Sequence, residues 1–415
     1  MSLCRLLLAE RGEVSGGRLA TEALRACCSL SGPDVGAFFD LLVKEYSPDP
    51  EQVAKYAEAY RADPCARNLD RLMTAVEPPR QELFRRLNMA PEGTRMLVAM
   101  RRRLLRELDR HPEWQAIETD LSHLLASWFN RGFLVLQRID WRTPAIILEK
   151  LIEYEAVHEI TGWHDLRRRL QADRRCYAFF HPALKDEPII FVEVALTRGI
   201  SGQVQPLLDP DSAVLDPQTA NCAMFYSITN CQEGLRGVSF GNFLIKKVAE
   251  DLGRELPQIR TFATVSPVPG FRDWLEETAR TNAQHPKAAS LADLVSKLRT
   301  PDWLQDGAIE GVARRELPPL CAYYLLNAKQ GQEPLNAVAR FHLRNGARLE
   351  RINWLGDTSA AGLQRSAGLM VNYVYRLPDV ERNHELYMNE YKIAASRSIE
   401  LLAKQSLLVS NHSHG

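Results

Sequence analysis

The sequence lacks several features that would each indicate a broad class of protein. Lys and Arg total 52 among 415 residues, and Asp and Glu also total 52, so the basic excess of a nucleic-acid binder is missing. No apolar run reaches the roughly 20 residues of a membrane-spanning helix. The apolar run in MSLCRLLLAERG is interrupted by Arg5 and is too short for a signal peptide. We therefore expect a cytoplasmic protein that binds neither nucleic acid nor membranes.

Other absences exclude common site types. The eight cysteines include no CxxC pair, which argues against a zinc site and a disulfide framework and favours a reducing compartment. Neither GxxxxGK[ST] nor GxGxxG occurs, so the phosphate loops of nucleotide triphosphatases and dinucleotide-binding folds are excluded. The basic clusters Arg101–Arg103 and Arg167–Arg169 lie in helical patterns rich in acidic residues. That setting predicts solvent-exposed helix faces.

The chain is long enough for two domains, because single cores stop growing near ~250–300 residues. Residues 1–127 carry helical periodicity throughout, for example in EQVAKYAEAYRAD and EGTRMLVAMRRRLLRELDR. No residues that suggest chemistry cluster there. We predict an all-helical domain over 1–127 that serves packing or oligomerisation.

From Gly132 onward the pattern changes to alternating strands and helices. Strands are predicted in GFLVLQRIDW, CYAFF, PIIFVEVAL, AMFYSIT and TFATV, and helices in TPAIILEKLIEYEA, in WHDLRRRLQA and from the glycine segment to about 253. Further helices are predicted near FRDWLEETAR, SLADLVSKLR and LCAYYLLNAK and over 385–408, strands near ARLERINWL and GLMVNYVYR, and a loop over 199–220. The order β-α-α-β-β-β-α-β predicts an α+β fold, in which residues 128–415 form a mixed-sheet domain with flanking helices.

The segment SITNCQEGLRGVSFGNFLIKK joins a predicted strand to a predicted helix through several glycines. A strand ends near Thr229, the chain turns through Gly234 and Gly237, and an amphipathic helix follows. Free N–H groups at a helix start attract anions, and glycines let the backbone approach a phosphate closely. By itself the pattern favours a simple tight turn, and its place in the order of strands and helices favours an anion site.

This arrangement resembles a known fold and family. Gln-x-x-Gly-x-Gly after the fourth strand is similar to the coenzyme A turn of the GCN5-related acetyltransferase superfamily. The strings FYSITNCQEGLRGVSFGNFLIKKV, FATVSPVPGFRDWL and FHLRNGARLERINWLGDTSAAGLQRSAGLMVNYVY resemble the malonyl-CoA decarboxylase family, from about Trp128 through Tyr375. The resemblance implies conversion of malonyl-CoA to acetyl-CoA and CO2, with no metal and no cofactor besides the coenzyme A of the substrate. It also implies a homotetramer.

Three residues are candidates for catalysis through this resemblance. Ser266 lies in VSPVPG, His342 in FHLRNGA and Tyr375 in NYVYR. Their positions alone favour a turn serine for Ser266 and a histidine that caps or packs a helix for His342, and they fit a core aromatic as well as a functional one for Tyr375. The resemblance implies that Ser266 accepts a proton or binds the malonyl group, that His342 protonates the enolate carbon, and that Tyr375 organises this pair or the substrate. An imidazole with an ordinary pKa near ~6.5 suits proton donation at neutral pH.

The glycine turn is the candidate coenzyme site. The residues assigned to it are Gln232, Glu233, Gly234, Leu235, Arg236, Gly237, Val238, Ser239, Gly241 and Asn242. Backbone N–H groups are expected to hold the pyrophosphate, with Arg236 as a charge partner and the glycines and Gln232 shaping the turn. The family pattern has a glutamate where this sequence has Ser239, so that carboxylate is either dispensable or its loss alters activity.

Two other functions share these features. An acyltransferase of the same fold would pass an acyl group from coenzyme A to an amine and release free coenzyme A. A non-catalytic acyl-CoA-binding protein would need the turn but not Ser266 and His342. Products and substitutions therefore distinguish the three.

Overall fold

The computed structural model describes residues 2–10, 12–238, 244–281, 287–300 and 302–409. The chain divides into two compact units. The first unit comprises Met1–Val135, Phe179–Ile190 and Asn230–Gly241. The second unit comprises Leu136–Ala178, Phe191–Thr229 and Asn242–Gly415. The first unit thus takes two short segments from the later part of the chain.

Helices form the N-terminal part of the first unit, which confirms the predicted helical character of the described residues up to 127. They are α1 Ser2–Ala9, α2 Glu13–Ser29, α3 Gly32–Glu45, α4 Pro50–Ala62, α5 Ala66–Val76, α6 Pro79–Asn88, α7 Gly93–Glu107 and α8 Gln115–Trp128. Helix α4 shows how local sequence sets a boundary, because Asp49 accepts a hydrogen bond from the Glu51 N–H at 3.0 Å and Pro50 occupies the first turn. Apolar residues on one face of several helices, among them Leu83, Leu97 and Leu121, form the shared core.

Strands and helices alternate in the rest of the chain. The strands are β1 Val135–Ile139, β2 Arg174–Phe180, β3 Pro188–Thr197, β4 Cys222–Asn230, β5 Thr261–Thr264, β6 Ser266–Pro267, β7 Lys329–Gln330, β8 Glu333–Pro334, β9 Arg348–Asn353 and β10 Met370–Tyr375. The helices are α9 Ala145–Tyr154, α10 Trp163–Arg169, α11 Gln205–Leu208, α12 Leu244–Glu255, α13 Phe271–Thr281, α14 Ala288–Leu298, α15 Gly307–Asn327, α16 Ala337–Arg344, α17 Ala360–Ser366, α18 Leu377–Glu390 and α19 Arg397–Lys404.

Among the described residues, eight strands form one mixed sheet in the order β1-β2-β3-β4-β5-β10-β6, with β9 also paired to β10. Strand β4 runs parallel to β5, whereas β10 runs antiparallel to β5, β6 and β9. The predicted strands β3 and β4 contain β-branched and aromatic residues and β2 contains aromatic ones, and all three are buried on both faces over most of their length. The α+β fold class and the β-α-α-β-β-β-α-β order, apart from short helical turns, are confirmed.

Three predicted boundaries were wrong in the second unit. Helix α15 begins at Gly307 rather than near 320, because Asp306 caps it by accepting from the Ala308 and Ile309 N–H groups at 2.9 and 3.2 Å. The predicted helix over 385–408 is two helices, because Tyr391 takes a left-handed conformation (φ 52°) that ends α18. The predicted loop over 199–220 contains the short helix α11.

The basic clusters are not simply exposed faces, so that prediction was wrong for three arginines. Arg101, Arg168 and Arg169 are only 1%, 4% and 3% exposed. Arg168 binds both carboxylate oxygens of Asp173 at 2.7 and 3.0 Å, and Arg169 binds Glu193 at 2.7 Å. Arginine tolerates burial when its fork is paired in this way. Exposed members of the clusters are Arg102, Arg103 and Arg167.

Within the described residues, neither disulfides nor membrane-spanning helices occur. All eight cysteines are free, and Cys4, Cys176, Cys222, Cys231 and Cys321 are buried. No helix in this part of the chain combines the length and the apolar character that crossing a bilayer requires.

Candidate active site

Ser266 lies on the short strand β6, directly after β5. Both strands pair with the same neighbour, since β10 pairs through Val374 and Tyr375 with β5 and through Met370 and Val371 with β6. Ser266 is opposite Val371 in this register and is buried. The sheet therefore fixes the serine against the strand that carries Tyr375.

His342 lies in the last turn of helix α16. Asn336 begins this helix, because its side-chain oxygen accepts from the Ala339 N–H at 2.8 Å. The amide nitrogen of Asn336 donates to the carbonyl oxygen of Pro269 at 2.8 Å. One asparagine thus caps the helix of His342 and ties it to the VSPVPG segment of Ser266.

The structure brings Ser266, His342 and Tyr375 into one hydrogen-bonded chain. Ser266 Oγ lies 3.0 Å from His342 Nε2, and His342 Nδ1 lies 2.8 Å from the Tyr375 hydroxyl oxygen. The ring of Tyr373 stacks on the imidazole, with ring centroids 4.4 Å apart. Tyr373 and Tyr375 are two positions apart on β10, so both side chains reach the same face. The imidazole is therefore held at both nitrogens and on one ring face.

The imidazole at this position is neutral. Burial lowers the pKa of His342 to about 3, because the protonated ring would lose its hydration. The ordinary pKa on which the sequence-based assignment depended was therefore wrong for this side chain. Burial also raises the pKa of the Tyr375 hydroxyl well above its ordinary value, so that hydroxyl is protonated when no substrate is bound.

Thr264 sets the direction of the hydrogen bonds. The Ser266 hydroxyl donates to Thr264 Oγ1 at 2.8 Å, and the Tyr373 N–H donates to the same oxygen at 3.1 Å. A serine hydroxyl has one hydrogen, so Ser266 Oγ accepts its second bond from His342 Nε2–H. His342 Nδ1 then accepts from the Tyr375 hydroxyl. The donor count assigns the tautomer with the proton on Nε2.

The glycine turn lies in the first unit and has its own local structure. Strand β4 ends at Asn230, a 3-10 helix spans Glu233–Leu235, and Gly237 has a positive φ of 82°. The N–H groups of Leu235, Arg236 and Val238 donate to the carbonyls of Gln232, Glu233 and Leu235 at 2.8, 3.1 and 3.0 Å. Those three N–H groups are thus engaged within the turn. Ser239, Gly241 and Asn242, which were predicted to contact the coenzyme, lie outside the described residues.

Side chains around the turn give it a basic surface. Glu233 pairs with Arg106 at 2.6 Å, and that hydrogen bond, with further help from Arg102 and Arg236, lowers the pKa of the Glu233 carboxyl. Arg236 is exposed. Gln232 instead contacts the protein, because its side-chain amide donates to the carbonyl of Pro188 at 3.1 Å.

Sequence reasoning missed Thr264, Asn336 and Tyr373. Asn336 had a readable signal, since asparagine directly before a helical run is a typical N-cap. Thr264 and Tyr373 had none, because β-branched and aromatic residues in strands are ordinary. Their contacts with Ser266 and His342 depend on pairing between strands that are distant in sequence.

Comparisons with known proteins confirm the resemblance inferred from the motifs. Residues 132–412 match the sequence model described as the malonyl-CoA decarboxylase C-terminal domain, and residues 46–129 match that of the N-terminal domain. Ser266, His342, Tyr375 and the glycine turn all fall within the first of these matches.

Relatives match over most of the chain. A malonyl-CoA decarboxylase, mitochondrial, from Anser anser anser is 38% identical over 80% of this chain and 70% of its own. The protein of the same name from Mus musculus is 36% identical over 81% and 73%. Among solved structures, the malonyl-CoA decarboxylase from Rhodopseudomonas palustris has a TM-score of 0.93 and 48% identity, covering 96% of this chain and 98% of that chain. The one from Agrobacterium vitis has a TM-score of 0.90 and 48% identity, covering 97% and 98%.

Proposed function

This chain belongs to the malonyl-CoA decarboxylase family, and from that premise we propose that it converts malonyl-CoA to acetyl-CoA and CO2 through Ser266 and His342. The observation that carries the proposal is the buried hydrogen-bonded chain from Ser266 through His342 to Tyr375. A decarboxylase needs a proton donor close to the α-carbon of the substrate, and we assign that role to these hydrogen-bonded side chains.

The reaction makes few chemical demands. The bond between the carboxylate carbon and the α-carbon breaks, CO2 leaves, and the electron pair forms a thioester enolate. The thioester carbonyl is the electron sink, so no metal or further cofactor is required. The enolate oxygen needs hydrogen-bond donors, and the α-carbon needs one proton.

We assign the proton to His342. In the substrate complex the Ser266 hydroxyl turns from Thr264 to the malonyl group, and Nε2–H faces the α-carbon. An enolate carbon is a far stronger base than an imidazole nitrogen, so the neutral ring suffices as donor. As Nε2 gives its proton to carbon, Nδ1 takes the proton of the Tyr375 hydroxyl at 2.8 Å. Solvent then gives a proton to Nε2 and Nδ1 returns its proton to the tyrosine oxygen, which restores the starting tautomer and balances the overall uptake of one proton.

The coenzyme is assigned to the glycine turn. Because the N–H groups of Leu235, Arg236 and Val238 bond within the turn, the pyrophosphate contacts fall to the exposed Gly237 and to the exposed Arg236 guanidinium. Arg102 and Arg106 add positive charge nearby. A basic surface beside the exposed Gly237 N–H suits a phosphate.

The products test this function. Purified protein is incubated with malonyl-CoA, and the coenzyme A species are measured by mass spectrometry. Acetyl-CoA with its thioester intact is the expected product. Release of free coenzyme A would indicate acyl transfer or hydrolysis, and unchanged malonyl-CoA that remains bound would indicate an acyl-CoA-binding protein. Either result would contradict the proposal.

We further propose a cytoplasmic homotetramer that removes malonyl-CoA from fatty-acid metabolism. The support is the family resemblance alone. Light scattering of the purified protein tests the tetramer, and fractionation of the source cells tests the location.

A further inference from the structure

Arg101 is a buried charge that contacts the glycine turn. It lies on helix α7 and its guanidinium binds both carboxylate oxygens of Glu118 at 2.8 Å each. Its remaining hydrogen-bonding capacity goes to main-chain carbonyls of the turn. NH1 donates to the Gly234 oxygen at 2.7 Å, and NH2 donates to the Arg236 oxygen at 2.9 Å. All four residues belong to the first unit.

These contacts hold the turn through its main-chain carbonyl groups. A buried guanidinium loses its hydration and is stable only when its donors are satisfied. Here the carboxylate of Glu118 neutralises it, and together with the two carbonyls it accepts from four of the five N–H groups. Gly234 adds a second constraint, because a Cβ atom there would overlap the carbonyl oxygen of Val98 on α7. The turn therefore lies against α7 without room to shift.

The contact between Arg101 and the Arg236 carbonyl also determines the direction of the Gly237 N–H. The peptide bond between Arg236 and Gly237 is trans and planar, as no cis bond occurs in the described residues, so its C=O and N–H point in opposite directions. Arg101 holds this C=O, and the Gly237 N–H consequently points away from α7. Gly237 is exposed and has a positive φ, so a ligand can approach this N–H closely.

From these contacts we infer that Arg101 is a positioning residue for the coenzyme site. It orients the Gly237 N–H and the Arg236 backbone toward the phosphates of an acyl-CoA, without touching the ligand. The inference rests on the proposed binding of coenzyme A at the turn. It gives the helical part of the first unit a role in substrate binding besides packing.

The test uses Arg101→Lys, which keeps the positive charge but cannot hold Glu118 and two carbonyls together. Arg80→Lys is the matched control. Arg80 is also buried on a helix of the first unit and pairs with Asp120, but it donates to Ser47 and to the Tyr46 carbonyl rather than to the turn. Both substitutions disturb a buried ion pair, and only the first one releases the turn.

Binding of acetyl-CoA is measured by calorimetry, and turnover of malonyl-CoA is measured in parallel. We expect Arg101→Lys to raise the Kd and the KM about tenfold while kcat changes by less than about twofold. Arg80→Lys should leave all three within about twofold. An unchanged Kd in folded Arg101→Lys, or an equal rise in Arg80→Lys, would overturn the inference.

A second measurement covers the case in which Arg101→Lys does not fold. Hydrogen exchange of the wild-type protein is compared with and without saturating coenzyme A. We expect slower exchange in the peptide that contains Gly237, and no change there would overturn the inference. If the wild-type protein binds no acetyl-CoA at all, the proposed function itself fails, and that outcome is distinct from normal binding by the Arg101 variant.

Discussion

Two sites hold their functional groups by different means. One is the hydrogen-bonded group of Ser266, His342 and Tyr375 in the second unit, and the other is the glycine turn in the first unit. Around His342, side chains contact one another directly, with Ser266 at 3.0 Å and Tyr375 at 2.8 Å. In the turn, Arg101 contacts carbonyl oxygens, at 2.7 Å for Gly234 and 2.9 Å for Arg236. The first arrangement fixes side-chain protons, whereas the second fixes the direction of main-chain N–H groups.

This difference separates two kinds of dependence on sequence. The identities of Ser266, His342 and Tyr375 determine which atoms can carry a proton, so substitutions there should change the chemical step. The turn depends on backbone shape and on a residue far away in the chain, so substitutions there should change affinity. Substitutions of His342, Thr264 and Arg106 test whether kcat and Kd separate in this way.

The largest effect is expected for His342→Ala. Loss of the proton donor should lower kcat by ~10²-fold or more, the usual contribution of a general acid, while the Kd for acetyl-CoA stays within about twofold. Formation of acetyl-CoA is followed by mass spectrometry and binding by calorimetry. His164→Ala, at an exposed histidine on α10, is the control and should retain full turnover. A Kd that rises in step with the loss of kcat would assign His342 to binding.

A smaller effect is expected for Thr264→Val, which keeps the shape and removes the oxygen that accepts the Ser266 hydroxyl. Ser266 can then donate to His342 Nε2, which favours the tautomer without a proton at that nitrogen. We expect kcat/KM to fall roughly fivefold, the effect of one hydrogen bond worth about 1 kcal/mol in the free protein. Thr264→Ser retains the oxygen and should restore kcat/KM. Equal loss in both variants would mean that Thr264 only packs.

The pKa of His342 predicts the pH dependence of stability. This pKa is near ~6.5 in an unfolded chain and about 3 in the folded protein. Between these values the unfolded chain binds more protons, so the contribution of His342 is complete above ~6.5 and declines as the pH falls toward 3. The slope from this group is about 1.4 kcal/mol per pH unit. Urea unfolding of wild type and His342→Gln at several pH values should show the smaller slope in the variant.

The same ionisation constrains the kinetics. Because the ring is already neutral at pH ~6.5, ionisation of His342 should not change the slope of the wild-type pH profile of kcat/KM near that pH. Any change of slope there should therefore remain in His342→Gln. A limb near that pH, lost on substitution of His342, would mean that the protonated imidazole takes part.

The smallest effect is expected for Arg106→Gln. Arg106 pairs with Glu233 of the turn at 2.6 Å, but both side chains are exposed, and such pairs contribute little because water and salt screen them. We expect the Kd for acetyl-CoA to change by less than about twofold. A rise as large as that of Arg101→Lys would show that surface charge, rather than the buried carbonyl contacts, determines binding at the turn.

Much of the fold, and the three hydrogen-bonded residues around His342, could be predicted from sequence. The β3 run is long, apolar and β-branched, the β2 and β4 runs carry adjacent aromatic residues, and the helical periodicity before residue 127 is regular, so their types followed from local pattern. Ser266, His342 and Tyr375 were identified through motifs. Their contact distances, and the depth of burial that lowers the His342 pKa, depend on strand pairing. Neither could be predicted from the sequence.

The arginines show where local pattern failed. Arg101 lies among acidic and basic neighbours on an amphipathic helix, which is typical of a solvated face. Its burial results from contact with a turn 133 positions further along the chain, and that separation leaves no local signature. Local pattern also failed for helix α15. Its cap, Asp306, lies well before the apolar run LCAYYLLNAK that predicted the helix, so the predicted helix was too short.

The separation of the two sites is tested most directly by measuring kcat for malonyl-CoA and Kd for acetyl-CoA in His342→Ala and Arg101→Lys side by side. We predict a crossed result, in which His342→Ala loses kcat by ~10²-fold with normal Kd, and Arg101→Lys loses affinity about tenfold with nearly normal kcat. Parallel changes of kcat and Kd in both variants would contradict the account.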